Sequence, residues 1–139
     1  EEYTQAFFGK WAIRFNQKQV FFDDDLVTDD RVTAYFDRLR TENAIHALVS
    51  TARNLKGAFK RYESRYANID KPTLILWGEN DIWLSKELGE KYQKAISGSV
   101  FCVLPECGHV PQEEKPLVTA GLMDDFLQGR LDPEPARQP

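Results

Sequence analysis

Histidine, cysteine and methionine are nearly missing from this chain: two, two and one among 139 residues. Cys102 and Cys107 are separated by four residues, with no second Cys/His pair to complete a zinc site. Two cysteines make no disulfide framework, so they read as small buried thiols, and a reducing, cytoplasmic setting is expected. Long apolar runs are lacking too. The longest, Val100 to Leu104, is five residues, far short of the roughly 20 that cross a bilayer, so no membrane partner is expected. Positive charge is not in excess: 18 basic residues face 22 acidic ones, giving a net charge of −4 and a pI near 5.2. That argues against nucleic acid as a partner. No signal-peptide pattern, internal repeat or initiator methionine occurs. The chain opens at Glu1 in what already reads as helix, and a piece of a longer protein is the expectation.

What remains is ordinary globular material. Hydrophobic residues make up 42% and charged residues 29%, which excludes collagen-like, mucin-like and fully disordered chains. The length suits one domain or part of one and can bury roughly two-thirds of its unfolded surface.

Residues 1–66 read as helical. Tyr3, Phe7 and Trp11 recur every four positions, with Phe8, Ala12 and Phe15 beside them. Phe7, Phe8, Trp11 and Phe15, with Phe21 and Phe22, can form an apolar substrate cavity, though helix packing is expected to absorb most of them. Asp23, Asp24 and Asp25 read as a solvated acidic loop, too sparse in oxygen ligands for calcium. Thr28 is placed to cap a helix whose first turn carries Asp29 and Asp30, where the helix dipole favours negative charge. Val32, Tyr35, Phe36 and Leu39 form its apolar stripe. Ile45, Leu48, Val49 and Ala52 form the next, with Gly57 expected to end that helix. Phe59, Tyr62 and Tyr66 continue a weaker pattern. His46 falls on a helix and reads as solvent-exposed.

The grammar changes at Asp70-Lys71-Pro72. Residues 73–77 (Thr-Leu-Ile-Leu-Trp) are too short for a helix and rich in strand formers, which predicts a strand buried on both faces. Leu84, Leu88, Tyr92, Ala95 and Ile96 give a helical stripe closed by Ser97-Gly98. Val100 to Leu104 is a second strand. A last helix begins near Pro116 with Val118, Leu122 and Phe126 on one face, and the Pro-rich tail from Gly129 is expected to be disordered. Strand, helix, strand predicts a parallel pair with a right-handed crossover. Two parallel strands alone make no stable sheet, so further strands are expected beside them.

Two loops carry the chemistry. Gly78-Glu79-Asn80-Asp81 follows the first strand, and Pro105-Glu106-Cys107-Gly108-His109 follows the second. In parallel strands both fall at one carboxyl edge, where open α/β sheets bind ligands. Neighbouring strands lie about 4.8 Å apart, close enough for the Asp carboxylate to reach the His ring. An Asp that fixes a histidine's tautomer is two-thirds of a nucleophilic triad. Taken singly, each residue has a plainer reading: Asp81 as a cap for the helix near Ser85, His109 as a half-buried histidine in a Gly/Pro turn. Cys107 sits beside His109, but in a loop unsuited to a nucleophile. Trp83 flanks the acid loop and is a candidate substrate-binding residue, whereas Trp77 reads as core.

The stretch from Asp70 to Leu127 resembles the C-terminal end of an α/β-hydrolase-fold protein. The resemblance rests on Pro72-Thr-Leu-Ile-Leu-Trp-Gly-Glu-Asn-Asp81 and on Leu104-Pro-Glu-Cys-Gly-His109-Val-Pro111, followed by Glu114-Lys-Pro116. It implies an α/β fold class: a helical cap segment, then a parallel βαβ unit and a C-terminal helix. It divides the chain into a cap at 1–69, a core part at 70–128 and a tail at 129–139. Residues 27–32 (Val-Thr-Asp-Asp-Arg-Val) resemble the end of the family's cap. Asp81 matches the family acid and His109 the family histidine, which makes them the candidate catalytic residues. Many relatives carry Pro shortly after the acid, where this chain has Leu84-Ser85.

The family nucleophile, set in a Gly-x-Ser-x-Gly elbow, has no counterpart. Ser50, Ser64, Ser85, Ser97 and Ser99 all lack the elbow's flanking glycines, and no strand–Asp–helix variant occurs. The resemblance therefore implies a hydrolase of ester, acyl or C–C bonds, with no cofactor and no metal, that is inactive as this chain alone. Its expected partners are a small apolar substrate and a missing N-terminal half, or a second copy covering the open strand edge. A rival reading on the same fold is a non-catalytic receptor or scaffold.

Overall fold

The computed structural model describes residues 9–131. Tyr3, Phe7, Phe8 and the tail from Asp132 lie outside the described residues. Helix α1 (Lys10–Val20) leads through a single 3₁₀ turn (Asp24–Leu26) to α2 (Asp29–Leu39). Thr28 caps α2 as its sequence suggests: the Oγ1 accepts the Arg31 N–H at 3.2 Å. The two helices bury Ile13, Val20, Phe21, Val27 and Val32 between them, with Leu26, Phe36, Leu39 and Val110 packed around. Val110 comes from the far end of the chain, next to His109, and joins the helical block to the strand-bearing part.

Helix α3 runs from Ala44 to Tyr62 and is followed by a 3₁₀ turn, Glu63–Asn68. The expected stop at Gly57 is corrected: the helix passes through it. A stopping glycine takes a positive φ, and Gly57 is not among those that do. Within a helix a glycine costs only about 1 kcal/mol, which hydrogen bonding on both sides outweighs. The Leu48 and Val49 stripe of α3 is exposed rather than packed.

Strands β1 (Leu74–Gly78) and β2 (Val100–Leu104) pair in parallel, with Leu74 opposite Val100 and Gly78 opposite Leu104. Helix α4 (Lys86–Ala95) connects them and packs against both. Tyr66 meets Tyr92 of α4 edge-on at 5.0 Å, which docks the 3₁₀ turn. β1 is half-buried rather than covered on both faces, Gly78 excepted. Among the described residues it has one neighbouring strand only. A short helix α5 (Pro111–Glu114), which the sequence pattern does not announce, precedes α6 (Pro116–Leu127). Gly129, at φ 67, ends α6, and Arg130 folds back onto Asp124 and Asp125.

Helix packing does not absorb the aromatics of α1. Trp11 is 68% exposed and Phe15 63%; just after the helix Phe22 is 48% exposed, and of these described aromatics Phe21 alone is buried. On α6, Leu117 and Leu127 are also open, at 86% and 77%. No described helix is long and apolar enough to cross a membrane.

Candidate active site

Because β1 and β2 end in register, their following loops leave the sheet side by side. Backbone bonds knit them: Glu79 N–H donates to the Leu104 carbonyl at 2.9 Å, and Asn80 N–H to the Cys107 carbonyl at 2.8 Å. The approach is close enough to require glycine. A Cβ on Gly78 would lie 1.9 Å from the Gly108 carbonyl oxygen and 2.5 Å from that of Cys107.

The arrangement brings Asp81 and His109 together. His109 Nδ1 lies 2.8 Å from Asp81 Oδ2. The other carboxylate oxygen, Oδ1, accepts the N–H groups of Trp83 at 2.9 Å and Leu84 at 3.0 Å. Asp81 does not cap α4, whose N-cap is Ser85: one oxygen holds the turn at Trp83 and Leu84 ahead of that helix, and the other meets the imidazole. Its side chain is 5% exposed and that of His109 is 30% exposed. A buried carboxylate with three donors is fixed in place. Since it accepts from Nδ1–H, Nε2 is left as the acceptor nitrogen of the neutral ring. Among the described residues Nε2 has no hydrogen-bond partner. The ring of Trp83 lies 5.4 Å from that of His109, tilted by 46°, and is half-exposed. Ile82 beside it is exposed as well.

The histidine loop is anchored from behind. His109 N–H donates to the Val20 carbonyl at 2.8 Å. Glu114 accepts the N–H of Gly108 at 2.7 Å and that of Phe22 at 2.8 Å. Glu113 pairs with Arg31 at 2.6 Å and accepts the Tyr35 hydroxyl. Arg31 also stacks over the Phe21 ring at 4.7 Å. Burial first, then this bond to Glu113, pushes the Tyr35 hydroxyl up to about 12.

Cys107 is fully buried, and burial together with the Glu114 carboxylate pushes its thiol up to about 11. A thiol that stays protonated at neutral pH is no nucleophile. His46 is exposed on α3 and far along the chain from the pair. Among the described residues no group of three or more His, Cys, Asp or Glu could hold a metal ion.

Glu114 belongs to the stretch after His109, but nothing in its spacing shows that it contacts Phe22. The signal available was a carboxylate one turn beyond a histidine loop, in a helix begun by Pro111.

The chain matches the model of the alpha/beta hydrolase fold over residues 1–116. It is 25% identical over 126 residues to the uncharacterized hydrolase YugF of Bacillus subtilis, covering 91% of this chain and 45% of that protein. It is 30% identical over 108 residues to the 2-hydroxy-6-oxononadienedioate/2-hydroxy-6-oxononatrienedioate hydrolase of Cupriavidus pinatubonensis, covering 76% of this chain and 37% of that one. The crystal structure of a serine hydrolase involved in carbazole degradation, CarC, superposes with a TM-score of 0.76 at 22% identity, a likeness of fold. It covers 88% of this chain and 48% of CarC. The chain thus spans less than half the length of these relatives.

Proposed function

The chain belongs to the α/β-hydrolase fold family, and from that premise we propose that it supplies the acid and the base of a hydrolase whose nucleophile lies on a part of the fold not contained in these residues. The observation that carries the reading is the 2.8 Å contact between His109 Nδ1 and Asp81 Oδ2. With Nδ1 committed to Asp81, Nε2 takes the proton from the nucleophile as it attacks. It then returns that proton to the leaving group. Asp81 orients the ring and stabilises the imidazolium that forms in between. Trp83, open and tilted against His109, walls the substrate side, which favours an apolar group there. The bond cleaved is an ester, another acyl bond or a C–C bond. The chain alone is inactive, because a base without its nucleophile forms no acyl intermediate.

The test is steady-state turnover of an activated ester by the longer protein, with and without His109→Ala. The substitution should lower kcat by at least about 10³-fold while the melting temperature holds. Turnover within about tenfold of the parent would sink the assignment. So would ester turnover by the isolated chain that depends on Asp81 and His109.

A further inference from the structure

We propose that Glu114 is a positioning residue, which sets the backbone of His109 and locks it to the helical block at Phe22. The inference rests on the hydrolase reading above and extends it. Glu114 ends α5, a helix of four residues. Its two carboxylate oxygens serve two different stretches of chain. Oε1 accepts the Gly108 N–H at 2.7 Å, immediately before the histidine. Oε2 accepts the Phe22 N–H at 2.8 Å, 92 residues earlier in the chain. The Cys107 thiol lies 3.9 Å from Oε1 and completes the surround.

Three backbone segments converge here with no slack. A Cβ on Gly108 would lie 2.3 Å from the Val20 carbonyl oxygen, 2.9 Å from Glu114 Oε1 and 3.0 Å from the Phe22 nitrogen. His109 is consequently held at three points: its ring by Asp81, its own N–H by Val20, and the peptide before it by Glu114. Removing the carboxylate takes the acceptor from both backbone N–H groups, and the loss is costly at Gly108, which is buried, more than at Phe22, which is exposed. Glutamine cannot substitute, because its amide offers one accepting oxygen and turns N–H donors toward the other N–H group. Among the described residues the Glu113 carboxylate, next in sequence, bonds to Arg31 and Tyr35 and to no N–H of the histidine loop. The two neighbours thus divide the work: Glu113 fastens α2, and Glu114 fastens the base.

The experiment compares Glu114→Gln with Glu113→Gln in the longer protein. One readout is ester turnover. The other is the downfield proton signal of the His109 Nδ1–H bond, assigned by its loss in Asp81→Asn. Misplacing a reacting group by about 1 Å costs on the order of 10²-fold in rate. Glu114→Gln should therefore lose about 10²-fold in kcat with KM within about twofold, and its imidazole signal should shift or broaden. Glu113→Gln should keep both readouts close to the parent. Unchanged turnover and an unshifted signal in Glu114→Gln would overturn the proposal, as would an equal loss in both variants. If Glu114→Gln does not fold, Glu114→Asp carries the test, since it keeps the charge but reaches only one of the two N–H groups. Parental behaviour in that variant overturns the proposal equally. A parent protein without ester turnover counts against the ester form of the hydrolase reading and not against the proposal, since the imidazole signal still reports whether Glu114 orients His109.

Discussion

Gly78→Ala adds one methyl group at the point where the acid loop and the histidine loop cross. The new Cβ would lie 1.9 Å from the Gly108 oxygen, 2.5 Å from the Cys107 oxygen and 2.8 Å from the Cys107 carbonyl carbon. All three are backbone atoms, so no side chain can rotate away. To reach ordinary contact the Gly108 carbonyl must retreat by about 1.5 Å. That movement pulls directly on the bonds around it: Asn80 N–H to Cys107, Gly108 N–H to Glu114, and His109 N–H to Val20. Forced overpacking costs about 1–3 kcal/mol, and each bond broken adds about 1 kcal/mol. The expected loss is about 2–4 kcal/mol, read as a fall in the urea midpoint at constant slope. In the longer protein the same displacement should cost on the order of 10²-fold in ester turnover. Both losses must appear together, because one loop carries both. A Gly78→Ala protein within about 0.5 kcal/mol of the parent would refute the reasoning, since it would show that the loops can separate freely.

Two further outcomes follow from the surroundings of the pair. The Cys107 thiol is held above its ordinary value of 9.0, near 11, so below pH 9 both folded and unfolded chains keep the proton. Between 9 and 11 the unfolded chain releases it first, and stability should fall with rising pH across that window. In a Cys102→Ser background, Cys107 should resist iodoacetamide at pH 8 until urea is added; labelling at the unfolded rate in native buffer would contradict its burial. Arg31→Ala removes the bond to Glu113 and the stack on Phe21. It should cost about 1–2 kcal/mol in urea unfolding, and a change below about 0.3 kcal/mol would mean that α2 is not held there.

The fold is legible in the sequence where the pattern is local. The apolar runs around Leu74–Trp77 and Val100–Leu104, each bounded by Pro or Gly, predict strands, and Thr28-Asp29-Asp30 predicts the start of α2. The meeting of Asp81 and His109 is legible because parallel strands in register place their following loops at one edge. What holds the site is not legible. The bonds from Phe22 to Glu114 and from Val20 to His109 span about ninety positions and leave no periodicity behind. Gly57 misleads for a related reason: a glycine ends a helix only where its φ turns positive, which composition does not report. The aromatics Trp11 and Phe15 recur at helical spacing whether or not anything covers them, so their pattern cannot distinguish a packed face from an open one.

The polar and apolar parts of this chain are finished to different degrees, and the difference bears on how the site would work. Around His109 every backbone donor discussed above has an acceptor, and Asp81 has three donors. The apolar surface is far from closed: Trp11, Phe15, Leu117 and Leu127 are each more than 60% exposed. Each exposed leucine withholds about 1.5–3 kcal/mol of burial, so whatever covers these faces contributes strongly to stability. It need contribute nothing to the geometry of the acid and the base, because their loops are fixed by each other, by Val20 and by Glu114. On the proposed function, assembly with the remainder of the fold would have to bring a nucleophile to Nε2. A base oriented beforehand loses little entropy when that contact forms, and the rate gain from proximity is correspondingly kept.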